Sequence, residues 1–172
     1  LKKLLTGLNK IINEKKIECP IAIKISPDIK DDEISKIVEL VSSHNIKGII
    51  VSNTTDGNRD DLLDIKKNEI GGLSGQPLKD ISTKLIKNFY KETKGKIKII
   101  GVGGVDSGQS AYEKITAGAD VIQLYTGMVY KGPGIVKEIK KDLISILKKE
   151  NLKNISEAVG INAWPCYLQE LY

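Results

Sequence analysis

Two short apolar segments in the carboxyl half of the chain, each followed by a helix pattern, constrain the fold more than any other feature. They lie in residues 99–126, IIGVGGVDSGQSAYEKITAGADVIQLYT, where the first ends in Gly103 and Gly104 and the second in Tyr125 and Thr126. A glycine at a strand end has no Cβ, so backbone N–H groups can approach a ligand closely. Two such strand ends, each leading into a helix N-terminus, predict an anion pocket formed by N–H groups and helix dipoles.

Apolar segments further upstream extend this pattern to four strands that alternate with helices. The predicted strands cover residues 21–26, 48–53, 97–102 and 121–125. They are continuous apolar runs, typical of a parallel sheet covered on both faces, and their alternation with helices predicts an α/β fold. In a (β/α)8 TIM barrel, phosphate groups bind after strands seven and eight. We therefore expect the carboxyl-terminal part of such a barrel, with a site for a phosphate-bearing cofactor.

Apolar residues at helical spacing predict five helices. Their apolar stripes are Leu4, Leu5, Leu8, Ile11 and Ile12; Ile34, Ile37, Val38 and Val41; Ile81, Leu85, Ile86 and Phe89; Ala111, Ile115 and Ala117; Val136, Ile139, Leu143, Ile146 and Leu147. Asp80 is a candidate N-cap for the third helix and Asp106 or Ser107 for the fourth, which Gly118 would end. The first helix starts at Leu1 without a cap or a signal-peptide cleavage site, so we expect the carboxyl portion of a longer protein.

The composition of the 172 residues argues against several classes of function. The net charge of +5 comes mainly from lysine, and arginine interleaved with aromatic residues is absent, so we expect a solvated lysine-rich surface and no nucleic-acid partner. The sequence contains no run of about 18 apolar residues, the length that a membrane-spanning helix needs. Cys19 and Cys166 lack the spacing of metal ligands, and the acidic residues 28–33 are expected to start a helix, so no metal site is predicted.

Polar side chains at the ends of the first two strands are the remaining candidates for chemistry. Lys24 lies in the apolar segment IAIKIS, where an inward-pointing ammonium needs an anionic partner, although a lysine at a sheet edge could instead reach water. Asn53, Thr54 and Thr55 follow the second strand and suit a polar, planar substrate. On local evidence alone, a simple Asx or Ser/Thr turn explains these three residues equally well.

The connection 54–77 is long for a link between a strand and a helix, for which two to six residues are typical. It begins with polar residues and becomes glycine-rich at Gly71, Gly72 and Gly75. Long loops at the carboxyl ends of strands tend to form lids or ligand-binding walls. The alternative is an insertion without a ligand-binding role.

Five segments together resemble the dihydroorotate dehydrogenase family. The segments are IKISPD, VSNTT, GGLSGQPLKDIST, IIGVGGVDSGQSAYEKITAGA and VIQLYTGMVYKGPGIVKEIK, in that family's order and spacing. The GGLSG loop and the segment LKKENLKNISEAVG are similar to the class 2, quinone-linked form. The resemblance covers residues 1–160, which we expect to form the last four βα units of a TIM barrel. Residues 161–172, INAWPCYLQELY, do not resemble the family and are expected to form a divergent tail.

The resemblance implies an enzyme that uses FMN to oxidise dihydroorotate to orotate, with quinone as acceptor, in pyrimidine (UMP) synthesis. Lys24 would lie beside the flavin and stabilise the charge of its reduced form, and Asn53 and Thr54 would bind the substrate ring. The residues implied to contact the cofactor are Lys24, Ser52, Ser74, Gly75, Gly103, Gly104, Tyr125 and Thr126.

The resemblance also implies that parts of the enzyme lie upstream of Leu1. These are the first four strands, the catalytic base, which is a serine in class 2, and the membrane-associated segment that admits quinone; neither Ser26 nor Ser74 is assigned as the base. The implied location is the mitochondrial inner membrane, or the plasma membrane in a bacterium. Two other hypotheses remain open at this point: another FMN-dependent barrel oxidoreductase, and a non-catalytic flavin- or phosphate-binding half-barrel.

Overall fold

The computed structural model describes residues 1–57 and 59–164, which form four parallel strands alternating with helices. The strands are β1 (Ala22–Ile25), β2 (Gly48–Val51), β3 (Lys98–Val102) and β4 (Val121–Gln123). The helices are α1 (Lys2–Lys15), α2 (Asp31–Ser43), α3 (Lys79–Thr93), α4 (Gly108–Ala117), α5 (Thr126–Lys131) and α6 (Ile135–Lys149), with 3₁₀ turns at Gln76–Leu78 and Ile155–Ala158. The predicted α/β class and all four strands are confirmed.

The strands stand in the sheet in chain order, β1-β2-β3-β4, and all pair in parallel. Each strand is shorter than its apolar segment because the chain turns away at the carboxyl end. At β4, for example, pairing stops at Gln123, and Tyr125 already occupies the N-cap position of α5. The ends of the four strands therefore open onto one edge of the sheet.

The two faces of the sheet differ sharply in burial. On one face, Ile49 and Ile99 are fully buried and belong to the same core as Ile86 and Phe89 of α3. The other face, which we call the open face, carries Lys24 and the residues in register with it, and no helix within residues 1–57 and 59–164 covers it. Its residues are Ala22, Lys24, Gly48, Ile50, Lys98, Ile100, Val102, Val121 and Gln123. Val121, an apolar residue, is 54% exposed there.

Two helix boundaries test the capping predictions. Ser107 is the N-cap of α4, and its side chain accepts a hydrogen bond from the Ser110 N–H at 3.2 Å. The prediction of Asp80 as a cap is wrong, because the 3₁₀ turn that contains Pro77 runs directly into α3 and leaves Asp80 inside its first turn. A carboxylate in that position still interacts favourably with the helix dipole.

The segment after α6 returns to α4. The Gly160 N–H donates to the Ile115 carbonyl at 3.0 Å and the Asn162 N–H to the Thr116 carbonyl at 2.9 Å, so this packing continues past residue 160. Cys166 and the rest of the predicted tail from residue 165 onward lie outside the described residues. Within residues 1–57 and 59–164, none of the helices has the length and apolar character needed to cross a bilayer.

Candidate functional site

A cleft of about 1050 Å³ lies at the carboxyl ends of the four strands, beside the open face. Its walls come from all four strand ends and from the loop 54–77. The ten residues to which the family resemblance implies a role in the site all line it, whereas Thr55 does not; the ten are Lys24, Ser52, Asn53, Thr54, Ser74, Gly75, Gly103, Gly104, Tyr125 and Thr126. The fold thus brings together residues that are up to 102 positions apart in the sequence, from Lys24 to Thr126.

One end of the cleft is a glycine turn packed against α3. Gly103 and Gly104 have φ angles of 117° and 68°, which residues with a Cβ atom rarely adopt. A Cβ on Gly104 would lie 2.5 Å from Lys79 Cβ, so the turn touches the first residue of α3. We call Gly103 and Gly104 the glycine turn; both residues are buried against α3, and both line the cleft.

Two further predicted residues, Gly75 and Thr126, lie next to each other in the lining of the cleft. Gly75 has a φ of 82°, and a Cβ there would lie 3.1 Å from Thr126 Cγ2. The Thr126 hydroxyl donates to Ser74 Oγ at 2.9 Å, which ties the long loop to the end of β4. Tyr125 is 78% exposed at this rim.

Not all of the helix N–H groups that were predicted to contribute to the pocket are free to bind a ligand. The Ser107 side chain occupies the Ser110 N–H at 3.2 Å, so this donor of α4 does not face a ligand. The backbone of the glycine turn and that of Thr126 and Gly127 also line the cleft at this end. The sequence could not show which donors the cap occupies, because a cap and a ligand satisfy the same donors.

At the other end of the cleft, Asn53 and Thr54 are exposed after β2, whereas Thr55 is buried. The prediction that Thr55 faces a substrate is wrong: its hydroxyl donates to Asp28, and its backbone pairs with Leu73 at 2.7 and 3.1 Å. Asn53 Oδ1 accepts the Thr54 N–H at 3.0 Å, so a local Asx contact is present beside the exposed amide.

Asp28 supports the site from outside the cleft, a role that the sequence analysis did not predict. Besides the Thr55 hydroxyl, it accepts the Asp56 N–H at 3.1 Å, and it thereby fixes the backbone that presents Asn53 and Thr54. The segment ISPD suggests only a turn before α2. A contact between positions 28 and 55 leaves no trace in local sequence.

Lys24 lies on the open face at the cleft and is exposed. The predicted cost of burying its ammonium therefore does not arise in this chain. β1 is the outermost strand of the sheet, so the alternative, a lysine reaching water at an edge, fits this position as well.

The loop 54–77 forms a wall of the cleft rather than a detached insertion. Arg59 holds it by donating Nη1 hydrogen bonds to the carbonyls of Lys67 at 3.2 Å and Glu69 at 2.8 Å. Together with the Thr55–Leu73 bridge, these contacts close the loop on itself. The expectation of a ligand-binding wall is consistent with this position.

Behind the glycine turn, Lys114 of α4 is fully buried, although a lysine on a helix normally reaches solvent. Burial, and to a smaller extent the nearby Lys79, lower the pKa of Lys114 to about 8. Lys79 itself pairs with Glu113 at 2.7 Å, and this hydrogen bond raises the pKa of Lys79. The sequence AYEKITAG gives no sign that one of its charged residues is buried.

Comparison with known proteins points to one family. The family model described as dihydroorotate dehydrogenase matches residues 1–147. A protein of Trichodesmium erythraeum named dihydroorotate dehydrogenase (quinone) is 45% identical over 168 residues, which cover 94% of this chain and 44% of that protein. A protein of Arabidopsis thaliana named dihydroorotate dehydrogenase (quinone), mitochondrial, is 42% identical over 142 residues, 82% of this chain and 31% of its own.

Solved structures give the same result. The crystal structure of DHODH in complex with ferulenol from Eimeria tenella superposes with a TM-score of 0.81 at 38% identity. The match covers 85% of this chain and 39% of that one. The chain thus spans less than half the length of the relatives named here.

Proposed function

Because this chain belongs to the dihydroorotate dehydrogenase family, we propose that it forms the cofactor-binding, carboxyl-terminal part of a quinone-linked dihydroorotate dehydrogenase. The complete enzyme would oxidise dihydroorotate to orotate in pyrimidine synthesis and pass the electrons to a quinone. The observation that carries the proposal is the single cleft that gathers all ten predicted site residues at the strand ends. Relatives that are named as enzymes favour this hypothesis over a non-catalytic flavin-binding module.

FMN is the proposed cofactor, and the glycine turn supports it. A phosphate needs close approach to backbone N–H groups, and Gly103 and Gly104 offer a turn in which any Cβ would clash with Ser82, Leu78 or Lys79. Gly75, Ser74 and Thr126, which line the same cleft, would contact the ribityl chain. When bound, FMN would supply the acceptor for the hydride that leaves the substrate.

The residues at the other end of the cleft would bind and orient the substrate. The exposed amide of Asn53 and the hydroxyl of Thr54 can donate and accept hydrogen bonds with a ring that carries amide and carboxylate groups. Lys24 would place a positive charge on the open face, where it stabilises negative charge that develops during the reaction. Ser52, which is buried at the end of β2, would line the cofactor side.

The open face supports the proposal that further strands complete the barrel. Ile50, Ile100 and Val121 lie on it without a covering layer, and β1 and β4 are its two edges. The missing strands, the serine base, the quinone entrance and the membrane-associated segment would belong to the part of the family that this chain does not cover. A mitochondrial inner membrane or a bacterial plasma membrane is the proposed location; the Arabidopsis relative is named mitochondrial.

The test joins this chain to the amino-terminal portion of the Trichodesmium relative that it does not match. We expect the fusion protein to bind FMN and to form orotate from dihydroorotate with a soluble quinone, and the chain alone to form none. In the fusion protein, Lys24→Ala should lower the rate of flavin reduction about 100-fold, as loss of one electrostatic contact typically does.

Lys98→Ala is the matched control, because Lys98 lies on the same open face at the far end of the sheet and pairs with Asp120 at 2.6 Å. It should leave the rate within about twofold of the unaltered fusion protein. Orotate formation by the chain alone, or an active fusion protein with equal rates for both variants, would contradict the proposed division of roles.

A further inference from the structure

Lys114 makes three hydrogen bonds, and all of them go to the first turns of α3. Its Nζ donates to Ser82 Oγ at 2.6 Å, to Thr83 Oγ1 at 3.0 Å and to the Lys79 carbonyl at 3.2 Å. A lysine ammonium has three donors, so its capacity is fully used. The contact joins α4 to the exact part of α3 against which the glycine turn packs.

Apolar side chains would join these two helices with a smaller loss of stability than a buried ammonium does. Among the described residues no carboxylate lies within ion-pairing distance of Lys114, since Glu113 pairs with Lys79 instead. A fully buried ammonium held only by neutral oxygens costs stability relative to an apolar side chain of similar size. This cost is unexplained by packing and points to a role in the site behind which Lys114 lies.

Ser82 connects Lys114 to the glycine turn. Its hydroxyl accepts from Lys114 and lies within hydrogen-bonding distance of two carbonyls, that of Lys79 at 3.2 Å and that of Gly103 at 3.4 Å. Thr83 donates to the Lys79 carbonyl at 2.8 Å. A Cβ on Gly103 would lie only 2.8 Å from Ser82 Oγ, so the hydroxyl is in contact with the turn. Ser82 is fully buried, and water cannot replace this link.

We propose that Lys114 is a positioning residue for the phosphate of a bound phosphate monoester: through Ser82, its ammonium holds the glycine turn in the positive-φ conformation in which it lines the cleft. The inference rests on the proposed function, which places the phosphate at this turn. Lys114 itself would not contact the ligand. The positive charge also lies on the buried side of the anion site, in surroundings of low dielectric, and favours an anion at the turn.

Ser82 and Thr83 provide a matched pair for the test. Each accepts one hydrogen bond from Lys114, but only Ser82 contacts the glycine turn. The probes are FMN and riboflavin, which lacks the phosphate, and their affinities for this chain are measured by fluorescence titration. Ser82→Ala should weaken FMN binding about fivefold, the effect of one hydrogen bond, whereas Thr83→Ala should stay within about twofold.

Lys114→Met should weaken FMN binding about tenfold or more, because it removes the whole network and the charge. Riboflavin should bind the four proteins with equal affinity, or to none of them. Should Lys114→Met fail to fold, the Ser82 and Thr83 variants decide. Equal FMN affinities in these two variants, or a parallel loss of riboflavin affinity in Ser82→Ala, would overturn the inference alone. If the unaltered chain does not bind FMN, the same titrations use the fusion protein, and failure of the unaltered fusion protein to bind FMN would overturn the proposed function and the inference with it.

Discussion

The two ends of the cleft differ in how much of their support lies in this chain. At the glycine turn, Gly103 and Gly104 rest against α3, which Ser82 and Lys114 hold from the buried side. At the other end, Lys24 and Asn53 are exposed beside an uncovered sheet face. The difference teaches that adjacent βα units can support one part of a strand-end cleft by themselves, whereas residues on an uncovered sheet face receive less support from within the chain.

Among the variants that distinguish the two ends of the cleft, Gly104→Ala in the glycine turn is expected to lower FMN affinity most. The new Cβ would lie 2.5 Å from Lys79 Cβ in a residue with a φ of 68°. Strain and overpacking of about 3 kcal/mol predict a roughly 100-fold loss of FMN affinity by this chain. Fluorescence titration measures the affinity, and circular dichroism checks that the helices remain.

Gly132→Ala is the control for backbone strain alone. Gly132 has a φ of 72°, but a Cβ there would have nothing within 4 Å, and the residue does not line the cleft. This variant should bind FMN like the unaltered chain. If both variants lost the same affinity, strain rather than the geometry of the turn would explain the result, and the phosphate end would have to lie elsewhere.

A smaller effect, confined to the other end, is expected for Asn53→Ala in the fusion protein. Loss of the amide would leave polar groups of orotate unpaired, at a cost of about 1–3 kcal/mol, and lower orotate affinity roughly tenfold or more. FMN affinity should not change. Asn88→Ala removes an asparagine of α3 outside the cleft and should change neither affinity. Equal losses of orotate and FMN would mean that Asn53 supports the loop rather than the substrate.

The sequence predicted the parts of the site that depend on local pattern. Apolar runs ending in glycine or polar residues located Gly104 and Asn53 correctly at the cleft, because strand ends of a parallel sheet meet at one edge. It did not predict the buried supports. Asp28 and Lys114 act on residues 27 and 32 positions away, and both resemble ordinary surface charges in their local sequence. Thr55 was misassigned for the same reason, since its partner is distant in the chain.

The last and smallest effect uses pH to examine the buried side of the glycine turn. The pKa of Lys114 is lowered to about 8 in the folded chain, from 10.5. Between these values the unfolded chain binds more protons than the folded one, so the free energy of unfolding rises with pH. For this one group we expect a gain of about 1 kcal/mol between about pH 8 and about pH 9, measured by urea denaturation.

Other shifted groups act at higher pH and do not cancel this gain. The pKa values of Lys79 and Lys98 are raised above 10.5 by hydrogen bonds to Glu113 and Asp120, so their stabilisation is lost only above that range. Burial raises the pKa of Tyr112 above 10.0, which opposes folding only near that pH or higher. Lys114→Met should therefore remove the rise. A rise that persisted in this variant would show that another group titrates in this pH range. It would contradict the lowered pKa of Lys114 that burial behind the glycine turn predicts.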